Sequence, residues 1–484
     1  MGGRAEHQSV LKLERLVREA MKADNFSNEG WPRETAVEPS NHAGANSNPS
    51  ASKSGEDYSE REAEGLLEAV VSRENLNLAY KRVKSNGGSH GVDGMTTEDL
   101  LPHLKQHGAA MRQAILDGKY TPQAVRRVEI PKPDGGVRLL GIPTVTDRLI
   151  QQAVAQKLNE VFDKCFSANS YGFRPGRSAH DAIKAAREHI EAGGNWIVDL
   201  DLEKFFDRVN HDKLMSLVAR KIKDKRVLKL IRKYLEAGIM LEGVKVKNEE
   251  GTPQGGPLSP LLANIMLDEL DKELERRGHK FCRYADDCNI YVKSMKAGTR
   301  VMESITLYIE TKLKLKVNRN KSAVAKPHKR KFLGFSFYRK EKKTRISVHP
   351  KSIQRLKAKI IEITTRSNGR GMKWRREKLT RLFRGWVNYF RVADMKGHAL
   401  RLDGWIRRRI RACYWKEWKR IRTKHKNLIR LGLDQSRAIE YANCRKGCWR
   451  VSGSGVLELT LTNEWLNKAG FPSLSRELSL AKGL

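Results

Sequence analysis

The sequence contains few acidic residues and few cysteines for its length of 484 residues. Asp and Glu number 56 against 94 Lys and Arg, which gives a formal net charge of +38. A basic excess of this size is typical of a protein that binds a polyanion such as nucleic acid. The six cysteines are too few and too scattered for a disulfide framework, which fits a reducing compartment. They are Cys165, Cys282, Cys288, Cys413, Cys444 and Cys448.

Long apolar runs and paired metal-ligand motifs are also missing. No apolar run approaches the roughly 20 residues that a membrane-spanning helix needs, so we expect no membrane partner. Cys444 and Cys448 are the only neighbouring cysteines, and they have no second pair and no nearby histidine. We therefore expect ordinary thiols there and no zinc site.

The positive charge is concentrated late in the chain. Residues 351–450 contain 30 Lys or Arg and seven Asp or Glu. A solvated charged face does not explain this concentration, because tryptophans, five of them between residues 374 and 418, occur in the same stretch. Phosphate neutralisation combined with aromatic side chains is what a nucleic-acid duplex requires. These tryptophans are Trp374, Trp386, Trp405, Trp415 and Trp418.

Two adjacent aspartates, Asp286 and Asp287, lie between short apolar runs. The runs 281–284 and 290–292 predict two strands joined by a tight acidic turn. Side chains alternate along a strand, so neighbouring carboxylates can reach one small volume only at a turn. Such a volume could hold a divalent metal, although a solvated turn is the commoner interpretation of two aspartates alone.

A third carboxylate, Asp201, lies near the end of a predicted buried strand at residues 196–202. Asp199 and Asp201 share one face of this strand, and buried acids at a strand end need cations. Asp201, Asp286 and Asp287 together would supply the hard oxygen ligands of two Mg²⁺ ions about 4 Å apart. The reaction class indicated is nucleotidyl transfer, in which a 3′-hydroxyl attacks and pyrophosphate leaves.

These aspartates belong to a series of segments whose order matches one known family. Asp201-x-x-x-x-Phe206-Asp207, followed about eighty residues later by Tyr284-Ala285-Asp286-Asp287, resembles the palm of a reverse transcriptase. Further segments resemble successive blocks of the group II intron-encoded proteins, and the last of them resembles their maturase or thumb domain. The resemblance runs from about residue 70 to about residue 420. The further segments are Ile130–Arg138, Ser170–Ser178, Thr252–Pro260, Phe332–Phe335 and Phe383–Phe390.

The resemblance implies an α+β fold. It comprises the fingers and palm of a right-hand polymerase with an antiparallel palm sheet, an α-helical thumb and a small basic C-terminal segment. We expect an N-terminal helix and disordered linker at 1–60, fingers and palm at 61–345, and the thumb or maturase (X) domain at 346–430. Residues 431–484 would bind DNA or cap the thumb. The His-Asn-His endonuclease domain is not expected, because clustered histidines and paired Cys-x-x-Cys motifs are missing there.

The resemblance also assigns roles to residues of the polymerase part. Asp201, Asp286 and Asp287 would bind the two Mg²⁺ ions, and Lys321 would protonate the leaving pyrophosphate. The Phe206 ring would exclude a 2′-hydroxyl from the nucleotide site and so select dNTP. The expected dNTP-binding residues are Lys132, Arg138, Phe206 and Gln254.

The expected RNA-binding residues lie in the thumb. Leu402, Ile406 and Ile410 form an apolar stripe on a predicted helix, and the arginines beside them should be directed mostly away from that stripe, toward solvent. An open arginine face of this kind would suit a phosphate backbone. The expected set is Arg384, Arg407, Arg408, Arg409 and Arg411.

The resemblance implies an RNA-directed DNA polymerase and maturase that promotes intron splicing and copies the intron into DNA during retrohoming. Its partners would be the intron RNA, a DNA target or primer and dNTPs, in a ribonucleoprotein in the bacterial cytoplasm or at the nucleoid. Self-association into a homodimer is left open. One alternative is a splicing-only maturase, which the three intact aspartates disfavour. Another is a reverse transcriptase domesticated for CRISPR or defence, which no fused module supports.

Overall fold

The computed structural model describes residues 65–131, 136–241, 244–246, 250–252 and 255–483, with the backbone alone at 138, 241 and 244–246. The helix and linker expected at 1–60 lie outside these ranges. The described chain divides into two compact units, the first comprising residues up to 182 together with 198–324, and the second 183–197 together with residues from 325. No helix in these ranges is apolar over a length sufficient to cross a membrane.

Buried polar contacts join the helices at the start of the first unit. The Asn75 amide donates to the Ala153 carbonyl at 3.0 Å, and the Gln156 amide donates to the Asn75 side-chain oxygen at 2.7 Å. Ser72 and Thr144 accept from backbone N–H groups at two helix starts and so satisfy donors that the helices leave open. The helices are α1 (Leu66–Val70), α2 (Arg73–Asn86), α3 (Leu100–Leu116) and α4 (Val145–Phe162).

A four-stranded sheet with the order β2-β1-β4-β5 follows these helices. The first two strands form an antiparallel hairpin in which Ile130 is opposite Arg138. The strands are β1 (Val125–Pro131), β2 (Val137–Ile142), β4 (Ile239–Leu241) and β5 (Val244–Val246).

A second sheet has the order β6-β7-β3-β8, so β7 lies next to β3. The strands predicted on both sides of the aspartate pair are present, and β6 and β7 pair in antiparallel register. An apolar stripe on α8 (Ser259–Arg276), including Leu262, Met266 and Leu270, is buried. The strands are β3 (Trp196–Leu200), β6 (Lys280–Tyr284), β7 (Asp287–Val292) and β8 (Ala323–Ala325). The helices in this part of the chain are α5 (Ala179–Glu191), α6 (His211–Lys221), α7 (Lys225–Leu235), α8 (Ser259–Arg276) and α9 (Met295–Tyr308).

The second unit is a hairpin followed by helices. Trp415, Trp418, Leu428 and Leu457 belong to one buried apolar cluster, so the end of the expected thumb and the segment after it share a core. The hairpin strands are β9 (Phe335–Lys340) and β10 (Lys343–Val348). The helices are α10 (Pro350–Ile363), α11 (Met372–Phe390), α12 (Lys396–Glu417), α13 (Ile421–Arg430), α14 (Gln435–Ala442), α15 (Cys448–Val451), α16 (Gly455–Thr460), α17 (Asn463–Lys468) and α18 (Leu474–Lys482).

Candidate active site

The aspartate pair spans the end of the two-residue turn between β6 and β7, with Asp286 in the turn and Asp287 as the first residue of β7. Tyr284 pairs with Asp287, which leaves Ala285 and Asp286 as the loop residues. Ala285 has φ +56°, a left-handed conformation at the first loop position, as in a type II′ turn. Asp286 is half-buried and Asp287 is exposed. The turn therefore presents one carboxylate partly sheltered and the next open to solvent.

Asp201 directly follows β3, the neighbour of β7. Its backbone N–H donates to the Ser322 hydroxyl at 3.0 Å, and its carbonyl accepts from the Asn318 N–H at 2.8 Å. Burial raises the pKa of the Cys288 thiol well above its ordinary value, and the Asp199 carboxylate adds to that rise. β3 and β7 are neighbouring strands of the same sheet. The sheet thus brings Asp201 toward the acidic turn.

The carboxylates suit Mg²⁺ in their chemistry. Within the part of the chain that the structure describes, no three His, Cys, Asp or Glu side chains are gathered into a metal-binding group. Mg²⁺ does not require such a cage, because it is usually held by one or two carboxylates together with substrate phosphates and water. Asp201 and the turn of Asp286 and Asp287 carry hard oxygen donors of this kind on neighbouring strands.

Lys321 lies on the chain segment that hydrogen-bonds Asp201. The Lys321 N–H donates to the Asn318 carbonyl at 3.2 Å, and Asn318 is the residue whose N–H donates to Asp201. The Lys321 side chain is exposed. Two backbone hydrogen bonds through Asn318 therefore connect Lys321, the expected proton donor, with Asp201, the expected metal ligand.

Phe206 lies in a 3₁₀ turn, Phe205–Asp207, and its ring is half-buried against the Phe205 ring at a centroid distance of 5.1 Å. The Thr252 N–H donates to the Phe206 carbonyl at 2.6 Å. Gly251 has φ +89°, and a Cβ there would lie 2.6 Å from the Phe206 oxygen. The segment that leads toward Gln254 is thus held against the backbone of Phe206.

The other expected nucleotide contacts are only partly described. Lys132 and Gln254 lie outside the described residues, and Arg138 is described by its backbone on β2. A Cβ at Gly255 would lie 2.7 Å from the Gly141 carbonyl oxygen, so the chain just after Gln254 contacts the strand that carries Arg138. The structure therefore places the backbone at Gly255 against β2, the strand that carries Arg138.

The expectation that the arginines of α12 form a face open to solvent is wrong for two of them. Arg407 is 4% exposed and Arg411 is 6% exposed. Arg411 donates to the Leu461 carbonyl at 3.0 Å and to the Asn463 side chain at 3.2 Å. Arg407 donates to the Asn467 side chain. The C-terminal segment covers this side of the helix, so neither guanidinium is open to a phosphate backbone.

The remaining expected RNA-binding arginines differ among themselves. Arg408 is half-buried over the Trp449 ring at 4.3 Å and donates to the Trp449 carbonyl at 3.1 Å. Arg409 is half-buried and donates to the Thr364 hydroxyl at 2.6 Å. Arg384 on α11 is exposed, 3.7 Å from Glu477. Of the expected set, Arg384 is the member whose side chain is largely open to solvent.

Sequence reasoning missed a buried polar group beside the aspartate turn. Arg283, the residue before Tyr284, is 0% exposed and forms a 2.5 Å ion pair with Asp271 of α8. The sequence does contain a sign of this group. On α8, polar residues recur at intervals of three and four and form a second stripe beside the apolar one. This polar stripe consists of Asn264, Asp268, Asp271 and Glu275.

Two protein-family models match the chain. Residues 130–337 match the reverse transcriptase (RNA-dependent DNA polymerase) model, and residues 353–432 match the group II intron maturase-specific domain. The first match contains the Asp201 strand and the aspartate turn. The second contains most of the basic helical region.

Individual proteins are also similar to the chain. Protein YkfC of Escherichia coli K12 is 35% identical over 318 residues, which cover 57% of this chain and 83% of that protein. The group II intron-encoded protein LtrA of Lactococcus lactis subsp. cremoris is 32% identical over 324 residues, covering 53% of this chain and 54% of LtrA. Among solved structures, the partial Cas6-RT-Cas1–Cas2 complex is similar at 25% identity and a TM-score of 0.34, covering 51% of this chain and 42% of that one.

Proposed function

The chain belongs to the group II intron-encoded reverse transcriptases, and we propose that it binds its parent intron RNA, promotes its splicing and copies it into DNA at a new site. It combines an RNA-directed DNA polymerase domain with a maturase-specific domain. The observation that carries the proposal is the placement of Asp201 and the Asp286–Asp287 turn on neighbouring strands within the polymerase match. We place this activity in a ribonucleoprotein in the bacterial cytoplasm or at the nucleoid.

The proposed domains follow one another in chain order. Residues 61–345 form the fingers and palm, 346–430 the thumb or maturase domain, and 431–484 a C-terminal segment. Contacts of Arg407 and Arg411 with residues 461–467 support a role for that segment as a cap on the thumb. A cap can still contact DNA through its outer surface, which carries exposed cations such as Arg445 and Lys446.

In the proposed polymerase site, Asp201, Asp286 and Asp287 hold two Mg²⁺ ions. When bound, these ions lower the pKa of an attacking 3′-hydroxyl and stabilise the charge on the leaving pyrophosphate. Lys321 supplies a proton to that leaving group from the segment that hydrogen-bonds Asp201. Reverse transcriptases generally use Mg²⁺, and hard carboxylate oxygens suit it.

The proposed dNTP contacts are Lys132, Arg138, Phe206 and Gln254. Support comes from three close backbone approaches, at Thr252 to Phe206, at Gly251 to Phe206 and at Gly255 to Gly141. These approaches hold the 3₁₀ turn of Phe206, the residues on both sides of Gln254 and strand β2 near one another. A nucleotide bound there would meet cations and a ring carried by different segments.

For RNA binding we propose the exposed side of α11 in place of the buried arginines of α12. Arg384 is exposed, and Lys373, Lys378 and Arg381 on the same helix are exposed as well. Their spacing places several cations within reach of one phosphate backbone. This surface lies inside the maturase-specific match.

Two assays on one purified preparation test the proposed function. We expect primer extension with dNTPs on an RNA template, and faster splicing of a precursor that carries the intron RNA flanking this reading frame. Splicing assistance without extension would favour the splicing-only maturase. Extension without any effect on splicing would favour a domesticated reverse transcriptase and would contradict the maturase half of the proposal.

Replacing Phe206 with valine is expected to weaken discrimination against NTPs. The half-buried ring has its backbone fixed by Thr252, so its loss opens space beside the sugar without moving the turn. One side-chain contact in a pocket is worth about 1–3 kcal/mol, which predicts a change of roughly 10- to 200-fold in the ratio of kcat/KM for dNTP and NTP. An unchanged ratio with normal dNTP incorporation would mean that Phe206 is only part of the core.

A further inference from the structure

We propose that Arg283 is a positioning residue for the acidic turn, and that it fixes the turn relative to the loop at residues 169–172. The inference rests on the proposed polymerase function, because it concerns the geometry of Asp286 and Asp287. It assigns to a fully buried side chain a role in metal binding that it exerts through the backbone of Ala285.

The Arg283 guanidinium uses every hydrogen-bond donor that it has. Its Nε and one Nη2 hydrogen bond to the two Asp271 oxygens at 2.7 and 2.5 Å, and the other Nη2 bond reaches the Ser170 hydroxyl at 2.8 Å. Its Nη1 donates to the Asn264 side-chain oxygen and to the Ala285 carbonyl, both at 3.0 Å. An arginine has five N–H donors, so the group is fully satisfied and its position is fixed.

The bond to Ala285 connects this rigid group to the metal-binding turn. Ala285 has φ +56°, a conformation that non-glycine residues rarely adopt and that the surrounding structure must stabilise. A hydrogen bond to its carbonyl restrains the orientation of the next peptide unit, which carries Asp286. The direction of the Asp286 carboxylate therefore depends on Arg283.

The loop at 169–172 packs directly on the other side of the turn. The Tyr171 N–H donates to the Arg283 carbonyl and the Arg283 N–H donates to the Asn169 carbonyl, both at 2.9 Å. A Cβ at Gly172 would lie 2.3 Å from the Ala285 nitrogen, so a larger residue cannot fit there without movement. The Asn264 amide holds the Gly172 carbonyl at 2.8 Å. A displacement of this loop would therefore displace the turn.

Burial alone would not require an arginine at this position. A buried ion pair contributes little net stability compared with well-packed apolar residues, because both charges must leave water. The Arg283 guanidinium does supply directed bonds to four separate residues, two on α8, one on the loop and one on the turn. Directed bonds specify geometry, which is the property that a metal-binding turn requires.

The test measures metal dependence separately from stability. Arg283→Lys keeps the charge but removes the planar fork, and Ser170→Ala removes a single bond to the guanidinium. Asn75→Ala is the control, since it breaks a buried polar contact of the same unit that does not involve the turn. For each protein we would record the thermal midpoint, the Mg²⁺ concentration for half-maximal primer extension, and Mn²⁺ binding to the complex with primer and template by electron paramagnetic resonance.

Both turn variants are expected to need about tenfold more Mg²⁺ and to bind Mn²⁺ more weakly, the size expected when a metal ligand loses the partner that orients it. Asn75→Ala should lower the thermal midpoint and leave both metal readouts unchanged. If Arg283→Lys does not fold, Ser170→Ala decides the result. Normal metal dependence in the folded turn variants would overturn the inference. Absence of extension in the wild-type protein would instead refute the proposed function.

Discussion

Asp286→Asn and Asp201→Asn are each expected to abolish primer extension while leaving binding of the intron RNA nearly intact. Each substitution keeps the size of the side chain and removes the negative charge that a divalent metal requires. Metal ions contribute several kcal/mol to stabilising the transition state, so the loss should be about a thousandfold or more in rate. RNA binding should persist, because the exposed cations of α11 are unchanged.

The control for this prediction is Asp212→Asn. Asp212 is an exposed carboxylate on α6 that contacts Arg232, so the substitution removes one surface charge without touching the turn or β3. We expect Asp212→Asn to extend primers at the wild-type rate. Extension by Asp286→Asn or Asp201→Asn close to that rate would refute the metal assignment. Loss of RNA binding in the same variants would show that the two activities share one surface.

The aspartate turn could be predicted from sequence because its causes are local. Apolar runs on both sides of Asp286 and Asp287 specify two strands, and a two-residue connection between them forces a tight turn. The register of β6 and β7 agrees with this interpretation. The contacts of Arg283 behind the turn could be predicted only in part, because the polar stripe of α8 is visible in the sequence but the loop that carries Ser170 lies more than a hundred residues earlier in the chain.

The sequence pattern is also misleading at residues 313–317. The alternation of Leu313, Leu315 and Val317 is typical of a strand, but residues 309–313 complete a π-helical turn and Lys314 adopts a left-handed conformation. Leu315 and Val317 are buried all the same, and Val317 pairs with Leu202 in an isolated bridge. Alternation of apolar residues in this segment therefore reflects burial and does not indicate a strand.

The sequence pattern of α12 likewise cannot show whether its arginines are exposed. A helical projection separates Arg407 and Arg411 from the stripe of Leu402, Ile406 and Ile410, which suggests a solvent-facing side. It cannot show that residues 461–467 return to cover that side. When a helix is covered on two sides, some of its arginines are buried against the neighbouring segments. Buried guanidinium groups must then donate hydrogen bonds to carbonyl or amide oxygens.

Asp403 on the same helix has a parallel role. Its carboxylate accepts from the N–H groups of Leu474 and Ser475 at 2.7 and 2.9 Å and from the hydroxyls of Ser473 and Ser475 at 3.0 and 2.7 Å. These residues begin α18, so the carboxylate supplies acceptors that the first turn of that helix lacks. Charged residues of α12 thus hold the C-terminal segment at several points, which is what a packed cap requires.

Arg411→Met is therefore expected to destabilise the C-terminal segment without changing how RNA binding responds to salt. The substitution retains the apolar volume but leaves the Leu461 carbonyl without its donor, at a cost of about 1–3 kcal/mol. The measurements are the thermal midpoint and the rate of proteolysis within residues 431–484. Burial lowers the pKa of Arg411, but the guanidinium remains charged at neutral pH, so the substitution also removes a positive charge.

The matched comparison is the pair Arg381→Gln and Arg384→Gln on the exposed side of α11. These variants should melt near the wild-type temperature and bind intron RNA more weakly, with the slope of log K against log salt falling by roughly 0.7 to 0.9 for each phosphate that the protein no longer neutralises. Arg411→Met should show the opposite combination, a lower midpoint and an unchanged slope. If Arg411→Met instead reduces the slope at an unchanged midpoint, its guanidinium contacts phosphate, and the C-terminal segment must move away from α12 when RNA binds.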